Sequence, residues 1–198
     1  MTELITTLDK TASSYFQRLS DLMQGIAITN LANSSLSLDD GSAQAVQLLS
    51  STKAKDGKAM IIGNGGSDAI ASHAHNDICK ALNMQALVFN ESSLLTALSN
   101  DNGYETVFEH AIDLWATDKD ILIAISSSGQ SENIHRGVKA AKAKGCQVIT
   151  LSGFKPDNPL RQMGDLNFYV ASSVYGYVEL AHQIITHFLT DQVMLQNK

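Results

Sequence analysis

The chain has 198 residues, 44% of them hydrophobic and 17% charged, which predicts one globular domain with a sizeable core. Its net charge is −6, and its basic residues form no block, which argues against nucleic acid as a direct ligand. No apolar run approaches the roughly 20 residues of a membrane span, and Met1-Thr2-Glu3-Leu4 lacks the features of a secretory signal. Cys79 and Cys146 are predicted to be buried free thiols. These features favour a cytoplasmic protein without a membrane association.

The first 57 residues are predicted to form helices that lie outside the sheet. One apolar seam has helical spacing, with intervals of 4, 3, 4, 3 and 4 residues: Leu8, Ala12, Tyr15, Leu19, Leu22 and Ile26. A second helix is predicted over 44–53, after a polar break at 34–42. Because both precede the first predicted strand, neither can connect strands of the sheet. The seam packs either on its own domain or on a partner subunit, and its length favours the partner.

From Lys58 onward, apolar runs alternate with helical patterns. Strands are predicted near 58–62, 85–89, 120–125, 146–151 and 166–170. Helices are predicted near 68–82, 104–116, 132–144 and 174–195. This alternation is typical of α/β proteins with a parallel sheet covered on both faces. We therefore expect a three-layer sandwich with a five-stranded parallel sheet at 58–198, and a single domain over 1–198.

Two glycine- and serine-rich loops each follow a buried strand and precede a helix. They are Gly63-Asn64-Gly65-Gly66-Ser67 and Ser126-Ser127-Ser128-Gly129-Gln130-Ser131. In a parallel sheet such loops lie at the carboxyl edge, where open α/β folds bind ligands. Glycines allow close backbone approach, and helix N-termini supply donors to an anion. The pair predicts a cradle for a phosphorylated small molecule. The alternative is that the glycines only make turns and that Ser67 and Ser131 only cap helices.

Histidines and carboxylates on two predicted helices form a possible metal site. His73 and Asp77 are four residues apart and share one helix face. Glu179 and His187 lie on the last helix, and two histidines with two carboxylates can ligate zinc. Surface or core histidines are the commoner interpretation of such spacing. However, His73 follows Ser67 by six residues, which places it within two turns of the proposed phosphate site.

These motifs, in this order and with Asn100-Asp101-Asn102-Gly103-Tyr104 between them, resemble the sugar isomerase (SIS) domain family, and within it the phosphoheptose isomerases. The resemblance covers essentially the whole chain. It implies a flavodoxin-like α/β fold and a homo-oligomer, a homotetramer in particular, with sites at subunit interfaces. It also implies zinc or another divalent metal and a phosphorylated sugar substrate. The implied reaction converts sedoheptulose 7-phosphate to D-glycero-D-manno-heptose 7-phosphate through an enediol, for heptose and lipopolysaccharide precursors.

The resemblance assigns roles to individual positions. The catalytic pair falls on Asp77 and His187. The metal ligands fall on His73, Asp77, Glu179 and His187. The substrate contacts fall on Asn64, Gly65, Ser67, Glu91, Ser126, Ser127, Ser128, Ser131 and Glu179, of which the four serines of the second loop hold the phosphate.

The chain departs from the family pattern at several of these positions. Asp77 stands where the family has glutamate, and the missing methylene could withdraw the carboxylate by about 1.5 Å. Glu179 replaces glutamine, Glu91 replaces aspartate, and Gly176 stands where an aspartate is usual. The acids preserve ligand chemistry, which favours a retained site.

A non-catalytic SIS protein is the alternative. It would bind sugar phosphate, the bacterial replication initiator, or both, as a tetrameric adaptor. Gly176 favours this alternative, whereas Asp77 and His187 favour the enzyme.

Overall fold

The computed structural model describes residues 4–196, which form one seven-stranded sheet between two layers of helices. Met1, Thr2 and Glu3, included in the secretory-signal prediction, lie outside the described residues, as do the last two. The elements are α1 (Ala12–Gln24), β1 (Ala27–Asn30), β2 (Ser35–Leu36), α2 (Leu38–Ala54), β3 (Ala59–Ile62), α3 (Gly66–Leu82), β4 (Ala86–Val88), α4 (Ser92–Asn102), α5 (Val107–Trp115), β5 (Ile121–Ser126), α6 (Glu132–Ala143), β6 (Gln147–Ser152), β7 (Leu166–Tyr169) and α7 (Tyr175–Gln196). Short 3₁₀ turns lie at Tyr104–Thr106 and Pro159–Gln162.

The strand order is β2-β1-β7-β6-β5-β3-β4. Strands β7, β6, β5, β3 and β4 pair in parallel, which confirms the predicted five-stranded core. A hairpin of β1 and β2 extends it, with β1 antiparallel to β7. This hairpin lies where only helices were predicted. Gly25 ends α1, and Ile28 is buried in the sheet rather than continuing the helical seam.

Alternate side chains along the central strands enter two separate cores. In β5, Ile121 and Ile123 contact the core beneath α1, α2, α3 and α7. Leu122 and Ala124 contact the core beneath α5 and α6. Successive strand residues point to opposite faces, and both faces are covered here. This double burial explains why β5 is an uninterrupted apolar run.

The N-terminal seam packs on its own chain. Leu22 and Ile26 are buried in the same core as α7, and Tyr15 and Leu19 pack against that core. Leu8 lies before α1 and is exposed. The prediction that this seam packs on a partner subunit is therefore wrong for the part within α1.

The two cysteines differ in environment. Cys146 precedes β6 and is buried, and burial raises the pKa of its thiol to about 11. Cys79 is exposed on α3, so the prediction that both thiols are buried is wrong for Cys79. Among helices of the described residues, none combines the length and apolarity needed to cross a membrane.

Candidate active site

The two loops line one cavity of about 280 Å³ at the carboxyl edge of the sheet. They follow β3 and β5, which are neighbouring strands, so their ends meet as the sequence predicts. The lining residues are Asn64, Gly65, Gly66, Ser67, Ser126, Ser127, Ser128, Ser131, Tyr175 and Glu179. Tyr175 was not among the predicted site residues, because an aromatic residue at the start of a helix carries no motif of its own.

The serine hydroxyls of the second loop differ in their hydrogen bonds. The Oγ of Ser126 accepts from the backbone N–H of Gly129 at 3.2 Å, and the Oγ of Ser128 accepts from the backbone N–H of Gln130 at 3.3 Å. Ser131 occupies the N-cap position of α6, yet its side chain forms no capping hydrogen bond. Its Oγ lies 3.4 Å from the Oγ of Ser126. The Oγ of Ser127 is buried and has no partner among residues 4–196. A buried hydroxyl without a partner is costly, so the Ser127 hydroxyl is suited to receive a ligand.

The first loop supplies a helix N-terminus and room for a side chain from α7. Gly65 has a φ of 57°, and it rather than Ser67 occupies the N-cap position of α3. A Cβ on Gly66 would overlap the carboxylate of Glu179, which would then have to move from its present position in this wall of the cavity. Both α3 and α6 begin at the cavity, and helix N-termini favour a bound anion. The loops therefore fit a phosphate group.

Helices α3 and α7 bring His73, Asp77 and His187 together. The Oδ2 of Asp77 lies 3.3 Å from Nε2 of His73 and 3.2 Å from Nδ1 of His187. One candidate ligand atom from each residue lies within 4.8 Å of the others. The shorter acid at position 77 thus reaches both imidazoles, and the missing methylene does not remove it from the cluster.

Two imidazoles and one carboxylate are a suitable donor set for a divalent metal. Catalytic zinc sites use three such protein ligands and leave one position open. Glu179, the fourth predicted ligand, lies instead against Gly66 in the cavity wall. The six residues from Ser67 to His73 span about 9 Å of helix, which separates the cluster from the phosphate loops by that order of distance.

Two further predicted positions lie differently from expectation. Glu91 is not among the residues that line the cavity, and instead its carboxylate caps α4. Hydrogen bonds from the Ser93 hydroxyl and the Leu94 backbone N–H hold the pKa of Glu91 below its ordinary value. A Cβ on Gly176 would lie 3.0 Å from the Tyr15 hydroxyl, so an aspartate there would press on α1.

His182 is buried directly behind the serine loop. Its Nε2 lies 3.3 Å from the carbonyl oxygen of Ser152 and donates to it, while its Nδ1 has no partner among the described residues. Burial lowers the pKa of His182 to about 4. This side chain is therefore neutral in the folded protein at pH 5, when the unfolded chain protonates it.

Because the unfolded chain protonates His182 more readily, we expect the free energy of unfolding to fall as the pH drops below about 6.5. This loss is complete near pH 4. From pH 7 to pH 5 the contribution of His182 is about 2 kcal/mol of lost unfolding free energy. Urea unfolding at both pH values, for wild type and His182→Gln, measures it. The exposed His110→Gln is the matched control. Equal pH dependence in wild type and His182→Gln would contradict the assignment.

An α/β sheet with two glycine- and serine-rich loops around a cavity at its carboxyl edge is the arrangement in which open α/β proteins bind small ligands. The family model described as "SIS domain" matches residues 14–153, most of the chain. The chain therefore belongs to the SIS domain family, and its relatives place it with the phosphoheptose isomerases.

Those relatives cover between 77% and 94% of this chain. The phosphoheptose isomerase of Syntrophotalea carbinolica is 32% identical over 185 residues, which are 90% of this chain and 89% of that protein. That of Edwardsiella ictaluri is 34% identical over 77% of this chain and 79% of its own length. The structure of phosphoheptose isomerase GmhA from Neisseria gonorrhoeae superposes with a TM-score of 0.80 at 27% identity, and covers 94% of this chain and 99% of that one.

Proposed function

We propose that this protein is an aldose–ketose isomerase that converts sedoheptulose 7-phosphate to D-glycero-D-manno-heptose 7-phosphate. The product would supply heptose for lipopolysaccharide precursors. The observation that carries the proposal is the pairing of a serine-lined cavity with a His/Asp/His cluster on α3 and α7. Their separation of about 9 Å along α3 approximates the reach of an open seven-carbon chain with C–C bonds of about 1.5 Å.

The cavity would hold the end of the substrate that does not react. The second loop (Ser126, Ser127, Ser128 and Ser131) binds the phosphate, and Asn64, Gly65, Ser67 and Glu179 contact the sugar. This binding energy positions the reacting carbons at the cluster. Glu91, which caps α4, would reach the substrate only from outside this cavity.

Asp77 and His187 would carry the proton transfers. One group removes a proton from C1 of the ketose and returns it to C2, and the other passes the hydroxyl proton from O1 to O2. The reaction then needs no oxidant or reductant, and an enediol lies between the two sugars. Because Asp77 and His187 are in contact, both groups lie on the same side of the bound substrate.

Zinc or another divalent metal would be held by His73, Asp77 and His187, and when bound would supply Lewis-acid polarisation of the substrate carbonyl. The sequence also predicted Glu179 in this ligand set, but Glu179 lies in the wall of the loop cavity, away from the three ligands. The donor set fits such an ion, as described above. The imidazoles of His73 and His187 and the carboxylate of Asp77 also provide polar groups beside the reacting end of the substrate.

We also propose a homotetramer, active in the cytoplasm. Helix α7 exposes Leu180, Ile184 and Phe188 on its outer surface. Contiguous exposed apolar side chains of this kind mark subunit contacts. A partner here would cover the face that carries His187.

The first experiment is turnover of sedoheptulose 7-phosphate after chelation, with and without added zinc. We expect little activity in the chelated protein and recovery with zinc, because the metal polarises the carbonyl. The measurement is formation of the aldose phosphate. Tight binding of the sugar phosphate without turnover in either sample would contradict the isomerase and favour a binding protein or adaptor.

A further inference from the structure

A reciprocal amide pair joins the two ligand-binding loops. The Nδ2 of Asn64 donates to Oδ1 of Asn133 at 2.9 Å, and the Nδ2 of Asn133 donates back to Oδ1 of Asn64 at 2.9 Å. The Tyr104 hydroxyl lies 2.8 Å from the same Oδ1 of Asn64. We propose that Asn133 and Tyr104 are positioning residues, which fix the amide of Asn64 so that it contacts the sugar. This inference rests on the proposed function.

The backbone N–H of Ile134 determines how the side chains of Asn133, Asn64 and Tyr104 are oriented. The backbone N–H of Ile134 can only donate, and it lies 3.0 Å from the Oδ1 of Asn133. That atom is therefore the carbonyl oxygen of Asn133, and Asn64 must present its Nδ2 to it. The remaining contacts then require that the Oδ1 of Asn64 accept from Asn133 and from the Tyr104 hydroxyl. The amide of Asn64 has one orientation rather than two.

Burial makes this orientation rigid. Asn133 is 2% exposed and lies in the first turn of α6, directly after the serine loop. Asn64 lies directly after β3 and is half-buried. Rotation of either amide would leave buried polar atoms opposite atoms of the same kind, which is costly. The pair therefore couples the position of the glycine loop to that of the serine loop.

The network leaves specific groups for a ligand. The Nδ2 of Asn64 has two hydrogens and uses one on Asn133. Asn64 lines the 280 Å³ cavity, and both Asn64 and Tyr104 also line an adjoining pocket of about 100 Å³. The free N–H suits a sugar hydroxyl or carbonyl oxygen, and the Tyr104 oxygen keeps its acceptor lone pairs. The serine hydroxyls in the same cavity are assigned to the phosphate. We therefore assign the free Asn64 N–H and the Tyr104 oxygen to the sugar.

A comparison of two ligands distinguishes residues that contact the sugar from residues that contact the phosphate. We would measure the Kd of sedoheptulose 7-phosphate and of inorganic phosphate by calorimetry for wild type, Tyr104→Phe and Asn133→Asp. Tyr104→Phe removes one hydrogen bond from an exposed residue and should weaken the sugar phosphate about 5-fold. Asn133→Asp places an oxygen against the Oδ1 of Asn64 and should weaken the sugar phosphate about 10-fold or more. Inorganic phosphate should bind the wild type and Tyr104→Phe alike. The new carboxylate of Asn133→Asp lies in the first turn of α6, directly after the serine loop, and its charge should weaken both ligands.

Tyr15→Phe is the matched control, because it removes a phenolic hydroxyl outside both pockets while its ring stacks on Tyr177. It should bind both ligands like the wild type. Equal weakening of both ligands by Tyr104→Phe, or no weakening of either, would overturn the inference. So would a wild type that binds sedoheptulose 7-phosphate no more tightly than inorganic phosphate. Tyr104→Phe alters an exposed hydroxyl, so we expect this variant to fold. It therefore still decides the test if Asn133→Asp does not fold.

Turnover of the same samples reports the proposed function separately. For an active wild type, we expect Tyr104→Phe to raise KM about 5-fold and to lower kcat less. A wild type that binds the sugar phosphate selectively without turning it over would contradict the isomerase. In that protein, selective weakening by Tyr104→Phe would still support the positioning role.

Discussion

Replacement of His187 by alanine is expected to lower kcat for sedoheptulose 7-phosphate by about 10²–10⁴-fold, the usual contribution of a general acid or base. The affinity for the sugar phosphate should change little, because Glu179 in the cavity wall lies about 12 Å from His187 along α7, an eight-residue step. Steady-state kinetics and calorimetric binding of the zinc-loaded protein measure the two effects.

His110→Ala is the matched control for that variant. His110 is exposed on α5, on the opposite face of the sheet from α3 and α7. It should keep the wild-type kcat and KM. A His187→Ala protein with full kcat would exclude the proton-transfer role of His187. A parallel loss of kcat and sugar-phosphate affinity would place His187 in ligand binding instead.

Asp120→Ala is expected to lower the free energy of unfolding by about 3–5 kcal/mol, the usual cost of breaking a buried ion pair. Asp120 is 2% exposed and lies just before β5. It accepts from the ammonium group of Lys58 at 2.6 Å and from the backbone N–H of Lys58 at 2.8 Å. It also accepts from the backbone N–H and hydroxyl of Thr117. The variant leaves the Lys58 ammonium with no counter-ion in a largely buried position.

Urea unfolding at pH 7 measures the effect, and Asp118→Ala in the same loop is the control, because Asp118 is exposed. Burial favours a raised pKa for Asp120, but the hydrogen bonds from Lys58 and Thr117 outweigh it and hold that pKa below the ordinary value. The stabilisation is therefore present at neutral pH and is lost as pH falls through the lowered pKa. Equal stability of the Asp120→Ala and Asp118→Ala proteins would contradict this role.

The sequence predicts the α/β core well because its strands are buried on both faces. A strand such as Ile121–Ser126 must be apolar at every position, and such runs between amphipathic helices have few other interpretations. The hairpin of β1 and β2 escapes this rule. It is short, only Gly25 and Ile26 separate it from α1, and the helical seam runs on to Ile26, directly before β1.

Helix α4 was missed for the opposite reason. None of the residues from Ser92 to Asn102 is fully buried, and the contact of this helix with the core is made by the partly buried Leu95 and Leu98, so its apolar stripe is short. Its start is fixed by Glu91, whose carboxylate accepts from the first backbone N–H groups. The sequence predicted Glu91 only as a substrate contact. Local capping chemistry thus decided its place in the structure.

The sequence by itself determined the loops, the strands that carry them, and the residues that could hold a phosphate or a metal, since these depend on residue type and on spacing along one element. The tertiary structure decided which of them meet. It placed Asp77 between two imidazoles, put Glu179 against Gly66, and left the Oγ of Ser127 without a partner among the described residues. It also paired Asn64 with Asn133, which lie 69 positions apart in the chain. Such contacts depend on how β3, β5, α3 and α7 pack in three dimensions, and no local periodicity encodes that packing.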